Sequence, residues 1–393
     1  MAKKKVAIVT FTILNFGSQL QALGLQKTLE EMGYEAEILD FMKEQGESGK
    51  SALLATLKEQ TRYYGLLKGM VRVSKELMFV FRQRIDFRKG HYSEIANRES
   101  YYKEFMDKNM NYSKKVTGTQ LRTPEFVDSL DYDYYVAGSD QIWNEKYTSS
   151  LDIFFLKVFP KDKKKISYAG SFGKNVLAED KVPRFKELIT HIETVLVREK
   201  AAKRIVEEQL GREAQVVLDP TLLHNQEFWG KYVEQPKQVD FKDYVLVYSL
   251  NHSTKIYDEA MRIAEMENAK VIVVKRSFCP PHSSKFLELY ELGPQHFLWL
   301  VKNARMVVTN SFHALVFSLI FNRPCYPYLD AAEEVNERLT SLLAKVEHEH
   351  VVSYEHEGHL SIANKHFDFG RINEILKVGG VFSVSVLKEA MVK

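Results

Sequence analysis

The sequence lacks the motifs of several common enzyme classes. Its two cysteines, Cys279 and Cys325, are far apart and form no Cys-x-x-Cys pair, which predicts buried or incidental thiols in a reducing compartment. The chain contains no His-Glu-x-x-His motif, no Walker phosphate loop and no Gly-x-Ser-x-Gly elbow. The His-x-His pair at His348 and His350 lies in a charged run. We therefore predict no metal site.

Long apolar runs and a strong charge imbalance are also absent. No apolar run is long enough to span a bilayer, and the basic start, MAKKK, enters a strand-like run without a signal-peptide apolar region. The net charge of +3 gives no reason to expect nucleic acid as a partner. Hydrophobic content of 45% and charged content of 27% are typical of a soluble globular protein. We expect a cytoplasmic location.

The 393 residues fit two domains of ordinary size. Short apolar strands alternate with helical patterns in both halves, which predicts two doubly wound α/β domains facing one another across a cleft. We expect an N-terminal domain over residues 1–221 with a helical insertion at about 43–126, a linker over 222–242, and a C-terminal domain over 243–393. A last helix, Phe382–Met391, would fold back across the pair.

Within the insertion, residues 58–90 are strongly basic. They carry nine Lys or Arg against three acidic residues, together with many apolar side chains. Such a stretch could lie on an anionic membrane surface. The more common alternative is a helix that packs on its own domain with a solvated basic face. The sequence favours the second interpretation, and peripheral membrane contact through 58–90 remains open.

A strand-to-helix junction in the second half carries the most distinctive polar side chains. Met306–Thr309 is a β-branched run typical of a buried parallel strand, and Ala314–Phe321 has the apolar character of a helix packed on a sheet. Asn310 and Ser311 would cap that helix. Because helix N-termini at the carboxyl edge of a parallel sheet attract anions, His313 could bind a phosphate or carboxylate, or move a proton. Alternatively, His313 only helps to cap its own helix.

Polar side chains also follow other predicted strands. Gly138–Asn144 is a glycine turn after a strand, and its Asp140 could orient a sugar hydroxyl, act as a base, or cap the next helix. Carboxyl strand ends from both halves should line one cleft. The further cleft candidates are Asn15, Gly17, Gln19, Ser139, Gln141, Trp143, Ser171, Arg198, Lys275 and Arg276. This combination suits transfer from an anionic donor to a hydroxyl acceptor, without distinguishing phosphoenolpyruvate from a nucleotide sugar.

An ordered series of motifs resembles the polysaccharide pyruvyl transferase family. The motifs are NFGSQLQALGLQKTLEEMG, DYDYYVAGSDQIWN, KKISYAGSFG, VLVREK, VVLDPTLL and KNARMVVTNSFHALVFSLIFNRP, spanning Val6 to about Tyr328. The resemblance implies two Rossmann-like domains arranged as in GT-B glycosyltransferases. It also implies transfer of a pyruvyl group from phosphoenolpyruvate to a sugar, forming a cyclic ketal and releasing phosphate. Phosphoenolpyruvate would be a co-substrate, and no bound cofactor is implied.

The resemblance further implies roles for single residues. His313 would contact the donor or act as the general acid. Arg198 would clamp an anionic group of the donor, and its alternative role is a salt bridge with Glu199 or a neighbouring helix. Asp140 would orient or deprotonate the acceptor.

Two departures from the family pattern concern the donor site. Ser311 begins a Ser-Phe-His sequence where many members carry Arg-x-His, so Lys275, Arg276 or Arg323 would have to replace one guanidinium. Asn310, Ser311, Lys275 and Arg276 are therefore further donor-binding candidates. The second departure is Gln295-His296-Phe297, where relatives usually have an acidic residue before the phenylalanine.

The expected acceptor is a lipid-linked glycan under construction at the inner face of the cell membrane. Two alternatives remain. One is a GT-B-like glycosyltransferase that uses a nucleotide sugar, and the other is a non-catalytic partner in polysaccharide assembly. The acceptor sugar, the hydroxyl pair, the ketal stereochemistry and the oligomeric state do not follow from the sequence.

Overall fold

The computed structural model describes residues 3–42, 91–250, 254–276, 283–329, 336–359, 362 and 366–392. Within them, each half of the chain forms a six-stranded parallel sheet flanked by helices. The predicted class of two Rossmann-like α/β domains is confirmed. The basic stretch at 58–90 lies outside the described residues.

The first half contains eight strands and eight α-helices in the described ranges. The strands are β1 (Lys5–Val9), β2 (Glu35–Ile38), β3 (Phe41–Met42), β4 (Val116–Thr117), β5 (Tyr134–Ala137), β6 (Lys164–Gly170), β7 (Thr194–Val197) and β8 (Gln215–Val216). The helices are α1 (Phe16–Glu31), α2 (Tyr92–Asn109), α3 (Gly118–Leu121), α4 (Pro124–Asp128), α5 (Leu151–Phe154), α6 (Val182–Ile189), α7 (Lys200–Arg204) and α8 (Gln226–Gly230). A π-helical turn, Ile205–Gln209, continues α7, and a 3-10 turn, Pro220–Leu223, follows β8. The main sheet has the order β2-β1-β5-β6-β7-β8, and β3 pairs with β4 separately.

The second half repeats this architecture. Its strands are β9 (Tyr244–Tyr248), β10 (Lys270–Val274), β11 (Phe286–Leu289), β12 (Met306–Thr309), β13 (Cys325–Leu329) and β14 (Ser353–Tyr354). Its helices are α9 (Lys255–Met266), α10 (Pro294–Asn303), α11 (Phe312–Ile320), α12 (Glu337–Lys345) and α13 (Phe369–Val392), with 3-10 turns at Glu349–Val351 and Glu355–Glu357. The order β11-β10-β9-β12-β13-β14 is that of a Rossmann-type sheet.

The central strands of both sheets are buried apolar runs. Strands β5, β9 and β12 are buried at every residue, because helices cover both faces of a parallel sheet. In the first sheet, β2 lies on one side of β1 and β5 lies on the other side, so the direction of strand order reverses between β1 and β5. In the second sheet, β9 and β12 have the same relationship. The loops after these strands therefore lie at topological switch points, where open α/β sheets bind ligands.

Helix α1 connects the two halves. The Asn15 side chain accepts a hydrogen bond from the Ser18 N–H and so begins the helix, and Gly33 follows its end with φ +94°. The first residue of the helix, Phe16, stacks on Phe297 of α10 with ring centroids 4.8 Å apart. One hydrophobic core runs through both halves. The amino end of α1 is thereby held against the second sheet.

The last helix is longer than the predicted Phe382–Met391. Helix α13 begins at Phe369 and passes through Gly379 and Gly380. A Cβ at Gly379 would lie 3.1 Å from Leu218 Cδ1, so glycine permits close packing on the first half of the chain. The Ser383 hydroxyl accepts a hydrogen bond from the Leu218 N–H at 2.9 Å. Neither α13 nor any other helix in the described ranges is long and apolar enough to cross a membrane.

Candidate functional site

Arg198 lies at the centre of the site, directly after β7. Its side chain is 2% exposed, with Nη1 3.1 Å from Asp219 Oδ2 and Nε 3.3 Å from Glu199 Oε2. Burial alone would lower its pKa, but the carboxylates of Glu199, Asp219 and Asp140 raise the pKa of Arg198 above the usual value. The salt bridge with Glu199 exists, yet Nη2 is buried without a hydrogen-bond partner among the described residues. One amino group thus remains for a ligand.

Asp219 fixes Arg198 in place. It follows β8, and its carboxylate is fully buried. Oδ2 accepts a hydrogen bond from Ser139 Oγ at 2.8 Å, and Oδ1 accepts bonds from the Thr221 hydroxyl and N–H. Burial opposes ionisation, but the adjacent His313 and Arg198 hold the pKa of the Asp219 carboxyl group below its usual value. The sequence analysis did not select this residue as a candidate, although it is the aspartate of the VVLDPTLL motif.

His313 enters the same cluster from the second half, in the first turn of α11. Its Nε2 lies 3.9 Å from Asp219 Oδ2 and is buried without a hydrogen-bond partner in the described part of the chain. Burial lowers the pKa of His313 below its usual value, so the imidazole is neutral near pH 7. Ser311 caps the helix, because its Oγ accepts a bond from the Ala314 N–H at 3.4 Å. The imidazole is therefore not required for capping.

Gly17 brings the first helix against this imidazole. A Cβ built at Gly17 would lie 2.0 Å from His313 Nδ1 and 2.4 Å from Cγ. Any other residue at this position would displace the ring. The predicted candidates Gly17 and His313, 296 positions apart in the numbering, are thus in contact.

Asp140 is the most exposed carboxylate of the cluster. It follows β5 with φ +75°, a backbone conformation that non-glycine residues rarely adopt. Its Oδ1 lies 3.9 Å from Arg198 Nη1. The Asp140 side chain is 18% exposed, against 4% for Glu199 and none for Asp219. Of these three carboxylates, Asp140 is the one that a substrate could reach most easily.

Arg338, on α12, adds a second buried guanidinium that the sequence analysis missed. Its Cζ lies 5.9 Å from the centre of the Phe312 ring, and Arg198 Cζ lies 4.6 Å from the same centre. Burial and the positive charge of Arg198 lower the pKa of Arg338, while Asp140 and Glu199 oppose that change. No sequence signal marks Arg338, because it lies within a helix and not at a strand end.

Several other predicted residues support the loops around the cluster. Ser171 Oγ donates to Glu199 Oε1 at 2.6 Å. The Gln19 side-chain amide donates to two carbonyl groups of the loop after β1, at 2.9 and 3.1 Å. Gln141 Oε1 accepts a bond from Asn144 Nδ2 at 2.8 Å. These side chains position the site through neighbouring groups.

Trp143 and Asn310 are also engaged within the protein. The Trp143 indole is 1% exposed and stacks on Phe155 at 5.0 Å, so it belongs to the core beneath the turn. Asn310 Oδ1 accepts a bond from the Leu250 N–H at 2.7 Å, which connects the loops after β9 and β12 at their switch point. Neither position provides a free surface for stacking on a sugar.

The three cations considered as replacements for a guanidinium at position 311 lie in different places. Lys275 forms an ion pair of 2.7 Å with Glu288, and Arg276 donates to the Leu250 carbonyl group. Both follow β10 at the carboxyl edge of the second sheet. Arg323 lies two residues before β13 and therefore at the amino edge of the sheet, opposite His313. Arg323 cannot complete the site around His313.

The described residues contain no group of three or more His, Cys, Asp or Glu side chains that could hold a metal ion. The arrangement is instead one of buried cations and carboxylates around a neutral histidine. Such a site can bind an anion, hold it away from water and exchange protons with it.

The fold is similar to that of several sugar-nucleotide enzymes of known structure. UDP-GlcNAc 2-epimerase from Methanocaldococcus jannaschii matches with a TM-score of 0.52 and 13% identity, over 98% of this chain and 99% of that chain. The Rickettsia bellii UDP-N-acetylglucosamine 2-epimerase matches with a TM-score of 0.54 and 11% identity, over 98% and 96%. At these identities the likeness shows the fold alone, which is the GT-B arrangement of two Rossmann-like domains.

The sequence comparison is more specific. A search of curated proteins found no significant match. The sequence model of the polysaccharide pyruvyl transferase family matches residues 15–329, which include Arg198, Asp219 and His313. Because this match covers most of the chain, the protein belongs to the polysaccharide pyruvyl transferase family.

Proposed function

We propose that this protein transfers the pyruvyl group of phosphoenolpyruvate to a pair of sugar hydroxyls in a surface-polysaccharide precursor. One observation carries the proposal of an anionic donor. Arg198 Nη2 and His313 Nε2 are buried nitrogen atoms without partners among the described residues, and both side chains lie beside Asp219. Buried polar atoms are normally hydrogen-bonded. Two such atoms at one carboxylate are best explained by a ligand that binds there.

The reaction requires an acid, a base and cations. A proton adds to the methylene carbon of phosphoenolpyruvate, and positive charge develops at the carbon that bears the phosphate. One sugar hydroxyl attacks that carbon, the carbon–phosphate oxygen bond breaks, and a second hydroxyl closes the ketal. Each hydroxyl loses one proton. One of these protons replaces the proton that was added to the methylene carbon, and the other leaves with phosphate. Fixed cations stabilise the donor's negative groups throughout.

The described side chains fit these roles. Arg198 binds a carboxylate or phosphate oxygen through Nη2, because guanidinium groups form strong charge-assisted hydrogen bonds. Asp219 keeps Arg198 in position. His313 donates the proton to the methylene carbon, and Asp140 accepts a proton from the acceptor hydroxyl. Asn310 and Ser311 hold the loop that carries His313.

The low pKa of His313 in the free protein is compatible with an acid role. The donor carries several negative charges, and a nearby negative charge favours the protonated form of a histidine. Donor binding would therefore raise the pKa of His313 and charge the acid only when its substrate is present. A protonated histidine is then available for carbon protonation.

The acceptor in this proposal is a lipid-linked glycan at the cytoplasmic face of the membrane. Asp140 is the residue through which the glycan would reach the donor, since its side chain is the most exposed of the three carboxylates in the cluster. Contact of residues 58–90 with the membrane remains a prediction.

Calorimetric titration with phosphoenolpyruvate tests the donor. We expect a Kd below about 1 mM, weakened roughly 10- to 100-fold by His313→Ala or Arg198→Ala, as for hydrogen bonds to charged groups. His348→Ala is the matched control, because His348 is also buried but lies near α13 and contacts Val346 and Asp368. Phosphate release that requires both phosphoenolpyruvate and a glycan would establish the transfer.

The same titration with nucleotide sugars tests the glycosyltransferase alternative. Binding of a nucleotide sugar, competed by a nucleoside diphosphate, together with no binding of phosphoenolpyruvate, would contradict the proposed donor. Full phosphoenolpyruvate affinity in both the His313→Ala and Arg198→Ala variants would show that the donor binds at another site.

A further inference from the structure

The donor presents two anionic groups, a carboxylate and a phosphate, whereas Arg198 offers little beyond one amino group. Its Nη1 and Nε are already within 3.3 Å of Asp219 and Glu199. A single guanidinium with most of its N–H groups occupied cannot bind both ends of the donor bidentately. A second cation is therefore needed close to Arg198.

Arg338 is placed to provide it. Its guanidinium and that of Arg198 both lie within 6 Å of the centre of the Phe312 ring, a distance at which the ring attracts cations. Phe312 immediately precedes His313, and the two rings are in edge contact at 5.2 Å. Arg338 thus lies beside the same short segment that carries the candidate acid, although it comes from a different helix.

The electrostatic surroundings of Arg338 are compatible with an anionic ligand. Arg338 is buried, and the like charge of Arg198 disfavours its charged form. Burial is the largest cause of the lowered pKa of Arg338, followed by the charge of Arg198, while the carboxylates of Asp140 and Glu199 act in the opposite direction. A ligand with two or more negative charges between the guanidinium groups would relieve the repulsion.

We propose that Arg338 is a second donor-binding residue, and that phosphoenolpyruvate is held between Arg198 of the first domain and Arg338 of the second, beside Phe312. The inference rests on the proposed function, because it concerns the donor of that same site. It explains how a chain with Ser311 in the loop holds a doubly anionic donor: the second guanidinium comes from α12.

Such a site selects ligands by their two anionic ends. Phosphoenolpyruvate contacts both arginines. Inorganic phosphate and pyruvate each carry one anionic group, so each binds strongly to only one of the two arginines. Loss of Arg338 should therefore weaken the binding of phosphoenolpyruvate more than the binding of the fragment that contacts Arg198. The fragment that loses most affinity identifies the end of the donor that Arg338 binds.

The test is calorimetric titration of the full chain with phosphoenolpyruvate, inorganic phosphate and pyruvate. The variants are Arg338→Met, which keeps the length without the charge, and Arg338→Lys, which keeps the charge without the planar fork. Arg323→Met is the matched control, because Arg323 belongs to the same domain but lies at the opposite edge of the sheet. Thermal unfolding of every variant is recorded in parallel.

We expect Arg338→Met to raise the Kd for phosphoenolpyruvate about 10- to 100-fold, Arg338→Lys to raise it less, and Arg323→Met to leave it unchanged. If Arg338→Met is too unstable to titrate, Arg338→Lys decides alone, and wild-type affinity in that variant would overturn the inference. Wild-type affinity in Arg338→Met with a lowered melting temperature would make Arg338 a structural link between domains and overturn the inference, leaving the proposed function intact. Absence of phosphoenolpyruvate binding by the unsubstituted protein would overturn the proposed function itself.

Discussion

His313 Nε2 and Asp219 Oδ2 are 3.9 Å apart, near enough to attract one another but too far for a hydrogen bond. The two residues come from different halves of the chain and meet where the loop after β8 faces the first turn of α11. The Asp219 carboxylate accepts hydrogen bonds from Arg198, Ser139 and Thr221. Although Asp219 is nearby, burial holds the pKa of His313 below its usual value.

We predict that phosphoenolpyruvate binding is accompanied by proton uptake near pH 7. In the free protein, burial and the cations Arg198 and Arg338 lower the pKa of His313, against the opposing effect of Asp219 and Asp140. The bound donor raises that pKa, so a proton is taken up between the two values. Affinity should then fall as the pH rises through the pKa of the complex. Titration in buffers of different ionisation enthalpy measures the uptake.

The control for proton uptake is His313→Gln. The phosphate of the donor itself titrates near pH 6, and this variant reports that contribution alone. Equal proton uptake in the variant and the unsubstituted protein would show that His313 does not titrate on binding.

We predict that Gly17→Ala greatly reduces turnover without unfolding the protein. The new Cβ would lie 2.0 Å from His313 Nδ1, so the imidazole must move. A displacement of about 1 Å of a catalytic group can cost roughly 100-fold in rate. Alanine also favours the helix by about 0.5–1 kcal/mol over glycine, which limits the loss of stability. Gly230→Ala is the control, since its Cβ would meet only Lys302 Nζ at 3.8 Å. Unchanged turnover in Gly17→Ala would show that His313 tolerates displacement.

Much of the fold follows from the sequence because its central strands are buried and β-branched. The predicted strand Met306–Thr309 is confirmed to the residue. Strand β11, with sequence FLEL, was missed because it lies at a sheet edge and contains no β-branched residue. The first half of α13 was missed because Gly379 and Gly380 weaken the helical pattern, while their packing on Leu218 is a tertiary effect.

The site residues that directly follow strands could be predicted from the sequence. Gly17, Asp140, Arg198 and His313 were all expected from the rule that ligands bind at carboxyl strand ends, and the structure brings them together. Arg338 obeys no such rule, since only tertiary packing brings α12 beside Phe312. Residues 222–242, which the composition predicts as a linker, include the fully buried Trp229.

We predict that Asp219→Asn lowers the free energy of unfolding by about 3 kcal/mol, the cost of removing one partner from a buried ion pair. The substitution keeps the size of the side chain but leaves Arg198 with less compensating charge. Asp140→Asn is the matched control, because that carboxylate is 3.9 Å from Arg198 and partly exposed. Urea denaturation compares the two variants. Equal losses below about 1 kcal/mol would mean that Glu199 alone compensates Arg198.

Finally, we predict that the two domains are coupled through the stacked pair Phe16 and Phe297. Both rings are buried, their planes differ by 3°, and they join α1 of the first half to α10 of the second. Each substitution to alanine should cost about 3–5 kcal/mol. A double-mutant cycle should give a coupling energy of roughly 0.5–1.5 kcal/mol. The control cycle uses Phe172 and Phe185, an aromatic pair of the first domain with centroids 5.8 Å apart.

The two cycles should differ in how the protein unfolds. Loss of the Phe16–Phe297 contact removes apolar packing between the halves, so we expect chemical denaturation of the Phe16→Ala/Phe297→Ala variant to separate into two transitions. The Phe172→Ala/Phe185→Ala variant should instead destabilise the first domain while the packing between the halves persists. The Gly17–His313 contact lies next to Phe16, so uncoupled domains should also lose phosphoenolpyruvate affinity. A single sharp transition and full donor affinity in the Phe16→Ala/Phe297→Ala variant would show that other contacts hold the cleft together.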